Sequence, residues 1–186
     1  MERRIIWIDI EAADYKVDRD GAVHDIAYII DIDGEIVKKG NIFASPFKGD
    51  LINMPSLEVC GVTHEQIMGY PPPEEGFKQI VNDMHAYKRL AIGGFNCQSY
   101  DFPVFINWWY KCARALKKWD IKWVDYIYPD TIDVRSLSIN SLLNERDTMK
   151  DFKLMTVAEK LGVNVNGEAH TALFDIEVTR DIYYNI

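Results

Sequence analysis

Four acidic residues and one histidine have the types and settings that metal-dependent phosphodiester hydrolysis uses. Asp9 and Glu11 are two residues apart at the end of an apolar run, and Asp101 follows a second apolar run. His170 precedes Asp175 in the last segment of the chain. Carboxylate oxygens without a thiolate set favour Mg²⁺ or Mn²⁺ over zinc. Two such ions about 4 Å apart activate a water and stabilise a departing oxyanion, and a neutral imidazole accepts a proton near pH 7.

Each of these residues also has a structural interpretation. Asp9 and Glu11 are compatible with a solvated strand end, and Asp101 with a helix N-cap, for which Asp is a preferred residue. Asp175 lies three residues after Ala172, so the two share one face of a helix. The small side chain of Ala172 leaves room for an ion or a phosphate beside the carboxylate. The remaining histidines are interpreted as surface or hydrogen-bonded residues: His24, His64 and His85.

The strands that must position the acids are indicated by apolar runs. The run that ends at Asp9 is typical of a central strand buried on both faces. Period-two geometry puts Asp9 and Glu11 on one face, and Asp33-Gly34 predicts a tight hairpin. Five strands are predicted: Arg4–Asp9, His24–Asp31, Glu35–Ala44, Leu90–Phe95 and Tyr128–Asp133.

Helical spacing and breaker residues predict the remaining elements. Helical segments are expected at 55–67 (as short turns), 74–87, 101–119, 134–143, 152–161 and 171–184, with a mobile loop at 144–151. Three strands followed by helices that alternate with two more strands predict an α/β fold: a mixed sheet whose first three strands are antiparallel, flanked by helices. In open α/β sheets, sites form at the carboxyl ends of strands, where Asp9, Glu11 and Asp101 are placed.

Composition narrows the class of protein. The chain has 186 residues, 48% of them hydrophobic, and a net charge of −8, which disfavours bulk electrostatic coating of nucleic acid. Bound divalent cations would reverse the field locally. No apolar run reaches the roughly 18 residues of a membrane span, no signal peptide is seen, and three cysteines without a CxxC pair suit a reducing compartment. We expect a cytoplasmic protein without a membrane partner.

Three motifs together resemble a known family. Asp9-Ile10-Glu11, Asn96 with Asp101, and His170-x-Ala172-x-x-Asp175 are similar to the exonuclease motifs of the DEDDh (DnaQ-like) 3′–5′ exonucleases, and they occur in the family's order. The resemblance implies a ribonuclease H-like, five-stranded mixed sheet in a single exonuclease domain over residues 1–186. It also implies that the four acids bind two Mg²⁺ or Mn²⁺ ions, that His170 is the general base, and that nucleoside 5′-monophosphates leave from a 3′ end.

The same resemblance implies a set of residues that contact the substrate. Cys60-Gly61-Val62-Thr63 resembles the segment that borders the terminal nucleotide in epsilon-like members. The family often has Thr-Thr-Gly or Met-Thr-Gly after its first motif, whereas this chain has Ala12-Ala13-Asp14. Main-chain contacts would survive that change and side-chain contacts would not. The predicted substrate-binding residues are Ile10, Ala12, Gly61, Val62 and Asn96.

Several alternatives stay open at this point. A catalytically silent module that binds nucleic acid or a protein on the same fold competes with the enzyme. Within the enzyme class, a single-stranded 3′ end is the favoured substrate, and DNA is slightly favoured over RNA. Trp108-Trp109-Tyr110 indicates helix packing or a subunit interface, and a homodimer and a monomer are both compatible with the sequence.

Overall fold

The central element is the first strand, which has neighbours on both sides in a five-stranded sheet. The computed structural model describes residues 2–14, 20–87, 89–165 and 171–186. The strands are β1 Arg4–Ala12, β2 Val23–Ile32, β3 Glu35–Phe43, β4 Leu90–Gly94 and β5 Ile127–Asp133. Their order is β3-β2-β1-β4-β5. β1, β2 and β3 pair antiparallel, and β4 and β5 run parallel to β1, so the predicted mixed sheet is confirmed.

The turn between β2 and β3 has the predicted chemistry. Asp33 and Gly34 both adopt positive φ, at 52° and 93°, as a two-residue type I′ turn requires. The Gly34 N–H donates to Asp31 Oδ1 at 2.8 Å. This local turn sets the register of the hairpin.

Seven helices are assigned in the described part of the chain. They are α1 Met54–Val59, α2 His64–Met68, α3 Pro73–His85, α4 Asp101–Ala115, α5 Val134–Ser141, α6 Leu154–Lys160 and α7 Ala172–Asn185. The segment predicted as a loop at 144–151 contains most of a 3-10 helix, Leu143–Thr148. None of the described helices has the length and hydropathy that a membrane span requires.

Two apolar cores lie on the two faces of the sheet, and β1 contributes to both. Ile6, Ile8 and Ile10 face the core that α3 and α4 cover. Ile5 and Trp7 face the core that α5, α6 and α7 cover. Because side chains alternate along a strand, Asp9 and Glu11 continue the row of Ile5 and Trp7, towards α7.

The aromatic run in α4 mainly packs inside. Trp108 and Trp109 are buried in the first core, whereas Tyr110 is half exposed. Trp109 Nε1 donates to the Ile121 carbonyl oxygen at 3.0 Å. Helix packing, one of the two predicted roles of this run, is therefore confirmed.

Two predictions about single residues are wrong. Asp101 is the first residue of α4, not its N-cap, which is Tyr100; the Asp101 carboxylate instead accepts a hydrogen bond from a distant strand. His24 is neither exposed nor hydrogen-bonded: it is 1% exposed, and neither ring nitrogen has a partner among the described residues. The β1–β2 register passes from Glu11–Asp25 to Ala12–Val23, so His24 is the extra residue of a β-bulge. Burial lowers its pKa to about 4.

Candidate active site

Three carboxylates converge where the end of β1 meets the first turn of α7. Asp9 and Glu11 come from β1, and Asp175 is the acidic residue of the first turn of α7. One oxygen of each lies within 4.8 Å of the other two. Period-two spacing on the strand and the packing of α7 over that face bring together residues more than 160 positions apart.

The fourth predicted acid reaches the same place from the start of α4. Asp101 is buried, and its Oδ1 accepts the Ile10 N–H at 3.0 Å. Ile10 lies between Asp9 and Glu11 in β1, so this hydrogen bond ties α4 to the strand segment that carries both acids. The charge of Asp101 also raises the pKa of Asp9.

Repulsion and burial dominate the electrostatics of the four acids. Burial, followed by the charges of Asp101, Glu11 and Asp175, raises the pKa of Asp9 well above its ordinary value. Burial raises the pKa of Asp101 to about 7, although the Ile10 N–H acts in the opposite direction. Carboxylates held this close are unfavourable as anions unless protons or cations lie among them. The site therefore favours either protonation or a bound divalent cation.

A fifth acid, Asp25, lies beside this cluster and is absent from the sequence motifs. It is 6% exposed and pairs with Glu11 across β1 and β2. Burial, and next the charge of Glu11, raise the pKa of Asp25 to about 7, whereas a hydrogen bond from the Ala172 N–H lowers it. The indication present in the sequence was the antiparallel pairing of the two predicted strands, since cross-strand partners share a face.

A cleft of about 320 Å³ opens next to Glu11. Its walls combine residues of β1, α1 and the start of α4: Glu11, Ala12, Asn53, Pro55, Ser56, Val59, Cys60 and Tyr100. Cys60 Sγ donates to Glu11 Oε2 at 3.1 Å, and the Tyr100 hydroxyl donates to the Asp14 carbonyl oxygen at 3.1 Å. Burial, with Glu11 next, raises the pKa of the Cys60 thiol, so Cys60 is a thiol rather than a thiolate ligand.

The predicted substrate-binding residues have different settings. Ala12 lines the cleft, and Ile10 gives its N–H to Asp101. Gly61 and Asn96 both adopt positive φ, at 67° and 63°, and Val62 packs against a small core beneath α1 and α2. Their roles stay predictions.

Thr63 and His170 are the remaining residues of the segments that resemble the family. Thr63, at the end of the Gly61-Val62-Thr63 segment, is the N-cap of α2 and forms a capping box with Gln66. His170 lies outside the described residues, so its predicted role as the general base stays a prediction.

The donor set fits a hard divalent cation. Carboxylate oxygens of Asp9, Glu11 and Asp175 converge, and such oxygens are the ligands that Mg²⁺ and Mn²⁺ prefer. Burial and then the negative charges of Asp101, Glu11 and Asp175 raise the pKa of Asp9, so a divalent cation bound here would offset that repulsion. These residues could hold a metal ion at the end of β1.

Comparison with solved structures identifies the fold. No protein-family model matches the chain, and no curated protein matches it in sequence. A structure of exonuclease I superposes with a TM-score of 0.77 at 15% identity, covering 98% of this chain and 40% of that chain. The fold is ribonuclease H-like.

Two further structures agree. E. coli exonuclease I in complex with a dT13 oligonucleotide gives a TM-score of 0.75 at 14% identity, covering 97% of this chain and 40% of that chain. Exonuclease I from Methylocaldum szegediense gives 0.73 at 16% identity, covering 98% and 40%. At these identities the likeness concerns the fold, and this chain spans about two fifths of the length of the exonuclease I structures.

Proposed function

We propose that this chain is a metal-dependent 3′–5′ exonuclease domain that hydrolyses phosphodiesters at a nucleic-acid 3′ end and releases nucleoside 5′-monophosphates. The observation that carries the proposal is the convergence of Asp9, Glu11 and Asp175 within 4.8 Å beside the buried Asp101. The fold is shared with exonuclease I, one structure of which contains a dT13 oligonucleotide. Single-stranded DNA is the substrate we favour, with RNA second.

Each residue of the site has a separate role in the proposed hydrolysis. Asp9, Glu11, Asp101 and Asp175 would hold two Mg²⁺ or Mn²⁺ ions. Asp101 also fixes the strand through the Ile10 N–H. The ions, when bound, supply an activated water and neutralise charge on the departing oxygen. His170 takes the proton of the attacking water as the general base.

The cleft beside Glu11 is the place that we assign to the terminal nucleoside. Its walls are largely apolar, and Val59 is 68% exposed there. Apolar and aromatic surfaces bind bases by stacking without selecting a sequence. Since Glu11 forms part of both the cleft and the carboxylate cluster, a nucleoside in the cleft would place its phosphate next to the acids.

End-labelled substrates test this function. Single-stranded DNA, duplex DNA and short RNA, each labelled at the 5′ end, are incubated with Mn²⁺ or Mg²⁺, and products are resolved by length. We expect a ladder that shortens from the 3′ end, release of mononucleotides, and loss of activity with EDTA. Asp9→Ala should abolish cleavage and remain folded, because it removes a mutually repelling carboxylate. Glu65→Ala, which alters an exposed acid on α2, is the matched control.

Three outcomes would contradict the proposal. Binding of the oligonucleotide without cleavage, in either metal, would favour the alternative of a catalytically silent binding module on the same fold. Cleavage that persists in Asp9→Ala would show that the carboxylate cluster is not the catalytic centre. Endonucleolytic fragments in place of a ladder would exclude the exonuclease assignment.

A further inference from the structure

The proposed mechanism does not use Asp25, although this carboxylate is buried next to the acid cluster. Asp25 pairs with Glu11, and two and four residues further along β2 are Ala27 and Ile29, which belong to the core under α7. Alternation along the strand therefore directs Asp25 to the face that α7 covers. Burial is the main cause of the raised pKa of Asp9 and of Cys60, and the charge of Asp25 adds to it in both cases, as expected for a cross-strand partner of Glu11.

Strand β2 anchors α7 at two points, through two aspartates six residues apart. At the far end, Asp31 accepts hydrogen bonds from Arg180 Nε at 2.7 Å and from the Tyr184 hydroxyl at 2.9 Å. At the near end, Asp25 accepts the Ala172 N–H. The first N–H groups of a helix have no partner within the helix and favour an anion. Asp25 therefore fixes the turn that carries Asp175.

The second oxygen of Asp25 is not used by this contact. Asp25 Oδ1 is buried and has no hydrogen-bond donor among the described residues. A buried charged oxygen without a donor is costly, and its neighbours Glu11 and Asp9 are themselves acceptors. The three oxygens that lie within 4.8 Å of one another belong to Asp9, Glu11 and Asp175, and Asp25 is not one of that group.

We propose that Asp25 is a positioning residue of the metal centre. One carboxylate oxygen holds the Ala172 N–H and so fixes the turn that carries Asp175, and the buried Oδ1 would accept a hydrogen bond from water at a bound metal ion. This inference rests on the proposed function only through its metal site. Partners of this kind hold direct ligands in position, and their loss typically weakens metal binding by about 10–100-fold.

Mn²⁺ titration of the whole chain tests the proposal without any substrate. Asp25→Asn keeps the shape and an oxygen for the Ala172 N–H but removes the charge, and Asp25→Ser shortens the side chain. We expect both to bind Mn²⁺ at least about tenfold more weakly than the wild type, as followed by calorimetry and by the electron paramagnetic resonance spectrum of Mn²⁺. Asp31→Asn, the other anchor of α7, is the matched control, which should lower the melting temperature and leave Mn²⁺ affinity unchanged.

Each outcome decides for or against the inference. Wild-type Mn²⁺ affinity in both Asp25 variants would overturn it, and so would an equal loss of affinity in Asp31→Asn, since Asp25 would then act only through the stability of α7. If Asp25→Asn is unfolded in the absence of metal, we instead compare how far added Mn²⁺ raises the melting temperature of each protein. An equal rise for Asp25→Asn, Asp25→Ser and the wild type would refute the inference. Binding of Mn²⁺ that is insensitive to Asp9→Asn would also refute it.

Failure of the proposed function is distinguished by the nuclease assay. A protein that binds Mn²⁺ through Asp9 and loses affinity in Asp25→Asn, yet degrades no nucleic acid, would contradict the nuclease function and leave the role of Asp25 intact.

Discussion

The acids of the site differ in what holds them. Asp101 is fixed by a backbone N–H from the strand that carries two of the other acids, so its position is coupled to theirs. Asp25 is fixed by a backbone N–H from the helix that carries Asp175. In both cases, one residue supplies a carboxylate and at the same time positions another carboxylate. We therefore expect substitutions at these acids to alter the geometry as well as the charge of the site.

The general base is the prediction that most depends on a single side chain. His170→Ala should slow turnover by about 10²–10⁴-fold, the range typical of lost general acid–base catalysis, while the carboxylates still bind Mn²⁺. Single-turnover cleavage of a labelled oligonucleotide and Mn²⁺ titration measure the two effects separately. His64→Ala, at an exposed histidine at the start of α2, is the control. Wild-type turnover in the His170 variant would refute the assigned role.

Helix α3 approaches the sheet closely at one point. A Cβ added to Gly76 would lie 2.1 Å from Cγ2 of Ile42 on β3, and both residues are buried. Glycine is therefore required here by contact, although alanine is the better helix former by about 1 kcal/mol. This contact supports the side of the sheet opposite to the one that α7 covers.

Gly76→Ala should destabilise the protein through overpacking. Overpacking costs about 1–3 kcal/mol, and after the gain of about 1 kcal/mol in helix propensity we expect the free energy of unfolding to fall by up to about 2 kcal/mol. Urea denaturation measures it. Ile42→Ala in the same chain removes the clashing atom, so a double-mutant cycle should show a favourable coupling. Additive effects of the two substitutions would mean that the helix shifts instead of colliding with Ile42.

Negative charge is a property of the whole molecule as well as of the site. The chain carries a net charge of −8, and acids from β1, β2, α4 and α7 come together. Burial raises the pKa values of Asp9, Asp25 and Asp101 among them. A protein with this distribution is suited to a polyanionic substrate only if cations intervene, because an uncompensated cluster would repel phosphate. Metal ions would thus serve binding as well as chemistry.

Stability without metal should depend on pH for the same reason. The pKa of Asp101 is about 7 in the folded protein against an ordinary value of 3.8. The folded state therefore binds the proton more tightly than the unfolded state, and this stabilisation is complete below the ordinary value and lost as the pH rises through about 7. Melting temperatures in EDTA between pH 4.5 and 7.5 should fall more steeply for the wild type than for Asp101→Asn.

The same melting temperatures are then measured with added Mn²⁺. Cations should restore the melting temperature of the wild type at the high-pH end, because they replace the protons. A difference between the wild type and Asp101→Asn that stays constant over the whole range would contradict the assigned electrostatics. Asp33→Asn, at the exposed hairpin turn, is the control: it keeps Asp101, so its melting temperature should fall with pH as steeply as that of the wild type.

Local chemistry in the sequence determined much of this protein. The Asp33-Gly34 turn, the common face of Asp9 and Glu11, and the buried central strand all follow from turn preferences and period two, which act between neighbours in the chain. The resemblance of the three motifs, in the same order, to those of the DEDDh exonucleases indicated which acids belong together. These features concern residues a few positions apart or a pattern read along the chain, so they were predictable.

Only the tertiary structure decided the contacts between distant segments. Asp101 binds the N–H of Ile10, 91 positions away, so its preference for an N-cap was overridden. The bulge that turns His24 inwards and the register that sets Asp25 beside Glu11 depend on how β1 and β2 align. The register of β1 against β2 and the position of α7 are determined by the burial of both cores together. No pattern of neighbouring residues encodes that burial. For that reason the sequence indicated four acids, and the fold added a fifth.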